Sequence, residues 1–294
     1  MSPSLLLRVA PAVFVLIWST GWLSARFAAP YADPLTFLGI RYVLAGLVLT
    51  GIALAARARW PQSPREAGHA MVSGVLLHAI YLGGVWWAIR HGLPTAISGL
   101  IAAVQPILTA LLAPILLGEH IGRRQWIGIG LGFVGIALVL EPQLEGIAWG
   151  ALGGVMLPIF VNVAGMVAVT AGTFYQKKYI ATGDLRTVTI LQYLGAALAT
   201  WPVALLVEKV EVTWNLTVIA TMAWSVLALS IGAIGLLLLL IRNGAVSRAA
   251  ALIYLVPPSV AIEAFLLFGE TLSTLQVVGL VVTAAGVALA VRRG

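Results

Sequence analysis

Long apolar runs, separated by short polar or charged connections, fill this chain from end to end. Crossing a hydrocarbon core of about 30 Å takes roughly 20 mostly apolar helical residues. Ten segments meet that length: residues 9–29, 35–56, 69–90, 94–117, 124–140, 148–180, 187–207, 216–241, 247–267 and 273–291. Their length predicts helices, because barrel strands would be about ten alternating residues each. The connections are too short to hold a soluble domain. Segment six is overlong: 146–176 is uncharged and contains Pro158, so it reads as a tilted or broken helix, or as a span preceded by an interfacial piece.

One stretch occurs twice. Pro106, Gly118-Glu119, Gln125, Gly128 and Gly135 recur as Pro257, Gly269-Glu270, Gln276, Gly279 and Gly286 at a constant offset of 151, with no gap. Eleven identities fall between 106 and 141 in this register. Apolar composition could supply some of them, but not the Pro, Gly-Glu and Gln that punctuate helices. The chain therefore reads as a duplicated half, residues 1–145 and 146–294. Five spans per half is an odd number, so the second copy must lie inverted relative to the first. The expected fold is an all-α polytopic membrane protein with ten transmembrane helices in two inverted five-helix repeats. That architecture points to a transporter, whose halves expose a central site to each side in turn.

Composition agrees. A soluble domain carries about 25 % charged residues, whereas here 9 % are charged, 61 % are hydrophobic and the mean hydropathy is +1.04. The absence of cysteine excludes disulfides and Cys-ligated metals. The net charge of +7 marks topology rather than a nucleic-acid partner. With a cytoplasmic N-terminus, Lys and Arg divide thirteen inside against three outside (Arg26, Arg90 and Lys209), leaving Arg41 within a span. This is the asymmetry expected when all ten spans exist and both termini are cytoplasmic. The first apolar run follows Arg8 with no cleavage signal and reads as a retained span.

No Gly-rich phosphate loop, His-Glu-x-x-His or Gly-x-Ser-x-Gly occurs, so ATP use, metalloprotease and serine-hydrolase chemistry lack their groups, and no cofactor is implied. Informative residues lie at mid-span, where a polar group must face protein or a water-filled cavity. Trp18, Ser19, His78, Tyr81, Gln105 and Tyr254 are of this kind, on segments one, three, four and nine. Trp18 and Trp22 share a face and either pack segment one or wall the cavity with a surface suited to an amine. Ile101 lies one turn before Gln105, and segment six adds counterparts near Val169 to Thr173, with Tyr175 beyond. The candidate substrate-binding set is Trp18, Ser19, Trp22, His78, Tyr81, Ile101, Gln105, Tyr175 and Tyr254. His78 is the natural proton carrier if transport is proton-coupled, or a simply hydrogen-bonded histidine.

Arg41 and Glu263 are the charges well inside spans; pairing as an outer gate, binding of substrate charge, and independent snorkelling all remain open. Pro106, Pro257 and Pro258 predict mid-span kinks, static or acting as paired hinges. Gly128, Gly130, Gly132 and Gly135, with Gly279, Thr283 and Gly286, form small-residue faces. They predict packing of one repeat on the other, with a homodimer seam as second reading.

Ile17-Trp18-Ser19-Thr20-Gly21, Arg41-Tyr42, the segment-four proline followed by Leu117-Gly118-Glu119, and Gln125 to Gly135 resemble the ten-helix, EamA-type exporters of the drug/metabolite transporter superfamily. The finer likeness is to bacterial amino-acid exporters of the YddG type. The second half departs from it, with Val169-Thr170-Ala171-Gly172 in place of the Trp-Ser-Thr-Gly opening and Gln192 at the position of Arg41. The resemblance implies export of small metabolites, aromatic and hydrophobic amino acids included, across a bacterial inner membrane by alternating access. Export of cationic or amphipathic drugs is the alternative within the superfamily, and an intramembrane enzyme the alternative outside it.

Overall fold

The computed structural model describes residues 3–145, 154–180, 182–243, 251–268 and 272–291. Its helices, in chain order, are α1 Pro3–Ala28, α2 Pro34–Ala55, α3 Pro64–Arg90, α4 in two parts Thr95–Ala103 and Gln105–Leu117, and α5 Arg123–Glu145. The second half contributes α6 Met156–Tyr179, α7 Leu185–Val207, α8 from Leu216 to Asn243, α9 as a 3₁₀ turn Leu252–Leu255 followed by Val256–Phe268, and α10 Thr274–Val291. Among the described residues, nine stretches are apolar and long enough to cross a membrane by themselves. The tenth, α9, is divided by its 3₁₀ turn into pieces of 4 and 13 residues. The chain is a polytopic, helical membrane protein.

Helix starts follow local chemistry. Ser63 accepts from the Glu66 amide at 3.2 Å, while the Glu66 carboxylate reaches back to the Gln62 amide at 3.1 Å. This capping box, with Pro64 in the first turn, begins α3 five residues before the apolar run. Ser273 and Gln276 make the same reciprocal pair at the head of α10. Gly118 closes α4 in the left-handed region at φ 66°, where a side chain would be strained; its counterpart Gly269 lies outside the described residues. Segment six is one unbroken helix from Met156, because Pro158 falls in its first turn, where a missing N–H costs nothing. Residues 146–153 of that segment lie outside the described residues.

Helix pairing establishes the inversion. α5 and α10 are repeat mates and run antiparallel: Gly128 lies against Gly286 and Ala290, and Gly135 against Gly279 and Thr283. α2 and α7 are mates too, with Gly39 on Trp201, Tyr42 on Tyr193 and Arg59 beside Thr187. Equivalent helices of two repeats can be antiparallel neighbours only when one repeat is upside down. A contact between α6 and α3 is echoed between α1 and α8. Gly172 of α6 meets Leu77 of α3, and Gly21 of α1, which is 151 residues earlier, meets Leu229 of α8. Both α3 and α8 carry a π-helical turn, Val75–Ile80 and Ser225–Ala233, at corresponding places.

The small-residue faces are consumed within the chain. A Cβ on Gly286 would stand 2.5 Å from the Gly132 nitrogen and 2.7 Å from the Gly128 oxygen. The packing expected of these faces is thus formed between the two halves. At one end of the α2–α7 pair, the Glu208 carboxylate accepts from the amides of Leu35 and Thr36 at 2.7 and 2.8 Å and from the Thr36 hydroxyl at 2.8 Å. Beside it, a short bridge joins Ala32 to Val212. At the other end, the Thr187 hydroxyl donates to the Arg59 carbonyl at 2.8 Å.

Two predictions test this packing. Gly286→Ala should cost about 1–3 kcal/mol, since backbone must move to admit the methyl. Gly130→Ala, which meets nothing within 4 Å, should instead gain up to about 1 kcal/mol from helix propensity; opposite shifts in thermal midpoint of the purified variants are expected. At the head of α7, Asp184 accepts from the Arg186 amide and side chain at 3.0, 2.9 and 2.6 Å. The Arg186 guanidinium holds its carboxyl below the usual range. Asp184→Ala should cost about 1 kcal/mol at neutral pH as a lost N-cap. A carboxyl whose folded pKa is depressed stabilises above its unfolded pKa, so the difference from wild type should shrink as pH falls through the folded value.

Candidate functional site

The mid-span residues are organised by two interrupted helices. In α4 the regular ladder stops at Val104, where the amide turns back to Ile101 at 3.1 Å, and resumes with Gln105 and Pro106, both buried. In α9 the 3₁₀ turn ends at Leu255, 151 residues after Val104, and Pro257 and Pro258 follow. The lost proline N–H groups account for both interruptions. The buried Gln105 Nε2 and the buried hydroxyl of Tyr254 have no hydrogen-bond partner among the described residues. Tyr254 presses its ring on Gly132 of α5, where a Cβ would lie 2.3 Å away.

Around these breaks stand two walls that exchange under the repeat. One joins half-buried Trp18 of α1, its ring tilted at 42° and 5.1 Å from Phe14, to Leu252 and Tyr254 of α9. The other joins half-buried Tyr81 of α3 and Ile101 of α4 to Met166 and Val169 of α6. Val169 is the mate of Trp18, and Leu252 the mate of Ile101. Ser19, fully buried beside Trp18, lies 2.5 Å from Oε1 of Glu263 on α9. The side chains of Trp22 and Pro257 lie outside the described residues.

Three expectations change. Arg41 and Glu263 do not pair: Arg41, 5 % exposed, donates from Nε to the Ser230 hydroxyl at 2.7 Å, while Glu263 turns to Ser19. They are held apart because α2 packs on α7 and α8, and α9 on α1. Tyr175, a candidate substrate contact, joins neither wall. Its hydroxyl lies 2.6 Å from His69 Nδ1, within an aromatic group completed by Tyr179 close to Lys178 at the end of α6. His78 stands apart from both walls. It occupies the π-turn of α3, buried against the rings of Tyr193 at 5.0 Å and Tyr42 at 5.9 Å, with Nε2 unpartnered among the described residues.

The polar core around His78 is the part that sequence reasoning missed. Tyr42 and its mate Tyr193 stack at 5.9 Å and 12°. Their hydroxyls donate to the carbonyls of His78 at 3.0 Å and Ser230 at 2.6 Å, one on each π-turn. Nearby, Gln192 donates to Ser73 and Gln176 at 3.0 and 2.6 Å. In α6, Asn162 donates to Ser98 at 2.8 Å. The recurrence of Tyr at the 151 offset was the available signal for the first of these; it lies outside the repeated stretch from 106 to 141.

Comparison with known proteins adds a family. The sequence profile of the EamA-like transporter family matches residues 9–141 and 156–292. A Salmonella typhimurium protein named "Probable amino-acid metabolite efflux pump" is 24 % identical over 281 residues, covering 92 % of this chain and 90 % of its own. The inner membrane transporter YedA of Escherichia coli is 26 % identical over 275 residues, covering 92 % and 86 %. The Bacillus subtilis transporter YvbV is 27 % identical over 282 residues, covering 92 % and 88 %. One crystal structure shares the fold, with a TM-score of 0.79 over 96 % of each chain at 19 % identity.

The buried guanidinium supplies a test of the polar core. Ser230→Ala removes the hydroxyl that Arg41 uses and should cost about 1.5–3 kcal/mol. Arg41→Met in that background should recover part of the loss, because an apolar side chain leaves no buried charge uncompensated. Thermal midpoints of the two singles and the double measure the coupling.

Proposed function

This chain belongs to the EamA-like transporter family, and from that premise we propose that it is a secondary transporter exporting small organic metabolites, aromatic and hydrophobic amino acids among them. The observation that carries the reading is the pair of interrupted helices. α4 and α9 break at positions 151 residues apart, and the inversion of the repeats aims the two bends oppositely. Alternating access needs such paired bends.

In this reading residues 1–145 and 146–294 are the two moving units, and Pro106, Pro257 and Pro258 are the hinges. The walls of Trp18, Tyr254, Tyr81 and Ile101 enclose the substrate cavity, with Ser19 and Gln105 supplying polar contacts. Aromatic and aliphatic faces suit an apolar side chain, and few precisely placed polar groups suffice to orient the rest. The termini lie in the cytoplasm of a bacterial inner membrane, and a proton or substrate gradient drives the cycle. A second reading, export of amphipathic amines, draws on Glu263, whose carboxyl stands beside the α1 wall. Two relatives whose printed name is an amino-acid metabolite efflux pump support the first.

Counterflow separates them. Liposomes holding purified protein and preloaded with unlabelled phenylalanine or leucine should accumulate the labelled amino acid transiently, and Trp18→Ala should slow this at least several-fold. Counterflow of quaternary amines but of no amino acid would favour the second reading; chemical conversion without movement would sink both.

A further inference from the structure

The contact between α1 and α9 contains one hydrogen too few for an ionised carboxylate. Ser19 Oγ lies 2.9 Å from the Leu16 carbonyl oxygen and 2.5 Å from Glu263 Oε1. A hydroxyl carries a single hydrogen, and an ionised carboxylate only accepts. Both contacts are hydrogen bonds at once when Glu263 is protonated and donates to Ser19, while Ser19 donates to Leu16. The other carboxyl oxygen, Oε2, is buried without a partner among the described residues, an arrangement that a neutral acid tolerates and a full negative charge does not.

Among the described residues, Glu263 has no ion-pair partner that would hold the charge instead. α9 packs against α1, α5 and α10. The other ionisable residues on those helices stand at or near their ends: Arg8 and Arg26 on α1, and Arg123, Arg124, Glu141 and Glu145 on α5; α10, Thr274–Val291, has none. Tyr254 lies in the 3₁₀ turn of α9 itself, nine residues before Glu263. Arg41, the one other charge deep in a span, is engaged by Ser230 on α8.

We propose that Glu263 is the proton-binding site of this protein and that Ser19 is its positioning residue, which rests on the transport reading above. On release, the proton passes from the carboxyl to water. The Ser19 hydrogen then turns from the Leu16 carbonyl to the new carboxylate, so that the Ser19–Glu263 bond between α1 and α9 reverses direction and becomes charge-assisted, while the Ser19–Leu16 bond within α1 is lost. Protonation thereby changes how tightly the α1 wall is tied to the interrupted helix. The transported cation class is the proton, bound once per cycle at a carboxyl with no counter-ion among the described residues.

Infrared difference spectroscopy on purified protein, combined with counterflow at several pH values, tests this. Wild type should show a protonated-carboxyl band at neutral pH that is lost in Glu263→Gln and displaced in Ser19→Ala. In liposomes the pH dependence of counterflow should vanish in Glu263→Gln and survive in altered form in Glu263→Asp. A Glu263→Gln protein that keeps the wild-type band, or keeps the wild-type pH profile, overturns the proposal. Should Glu263→Gln fail to fold, an unmoved band in Ser19→Ala overturns it instead. Absence of counterflow in wild type for amino acids and amines alike would defeat the transport reading, and the band would still decide whether Glu263 holds a proton.

Discussion

Hydrocarbon offers no hydrogen-bond partner, so each polar side chain within these spans must be satisfied by the protein itself. Several hydroxyls among the described residues meet the demand locally. Thr50, Thr109, Thr170, Thr189 and Thr283 each donate to the carbonyl four residues earlier. Larger groups cannot do so and are answered across helices, as in Gln192 with Ser73 and Gln176, or Arg41 with Ser230. What remains unanswered among the described residues includes Gln105 Nε2, the Tyr254 hydroxyl and Glu263 Oε2. These three stand on α4 and α9, the two helices whose ladders are interrupted. Other unpartnered atoms, His78 Nε2, Asn162 Oδ1 and Ser225 Oγ among them, stand on α3, α6 and α8; in the transport reading proposed above, those on α4 and α9 are where a substrate or a proton would find partners.

The same constraint explains the division of labour between helix pairs. α5 and α10 approach closely along glycines, with the Gln276 side chain donating to the Val139 carbonyl as a polar cross-link. α2 and α7 are joined by stacked tyrosines and tied at both ends by hydrogen bonds. These two seams hold the halves together. Between them lie α1, α3, α4, α6, α8 and α9, where Trp18 of α1 corresponds to Val169 of α6, while on the α2–α7 seam itself Arg41 corresponds to Gln192. In the proposed transport cycle, backbone symmetry serves the alternation, and side-chain asymmetry gives each access state its own contacts.

Much of this was legible in the chain. The ten segments followed from hydropathy, because span length is dictated by the bilayer and not by packing. The breaks in α4 and α9 followed from Pro106 and Pro257, and the glycine seam from small residues at one helical spacing. Segment boundaries slipped where caps, not hydropathy, decide: α3 starts at the Ser63 cap, and α6 starts at Met156 with Pro158 harmless in its first turn. Tyr175, included in the candidate set beyond Val169–Thr173, is drawn instead to His69 and Tyr179, partners that only the packing of α3 on α6 decides. The π-turns of α3 and α8 had no sequence signature, since an inserted residue per turn is chosen by what packs against it.

The chain alone thus determines which segments span, how many there are, that the halves repeat and that one must be inverted, because each of these rests on local spacing or on counting. Only the tertiary structure decides partners. Which acid meets which serine, why Arg41 turns to Ser230 and not to Glu263, and how two tyrosines 151 residues apart come to stack depend on helix rotation and crossing. Those are settled by packing among many side chains at once. The stretch from Pro106 to Gly135 and its echo illustrate both sides: repetition marked them as equivalent, and the fold put one proline at each of two opposed breaks and one glycine face against the other.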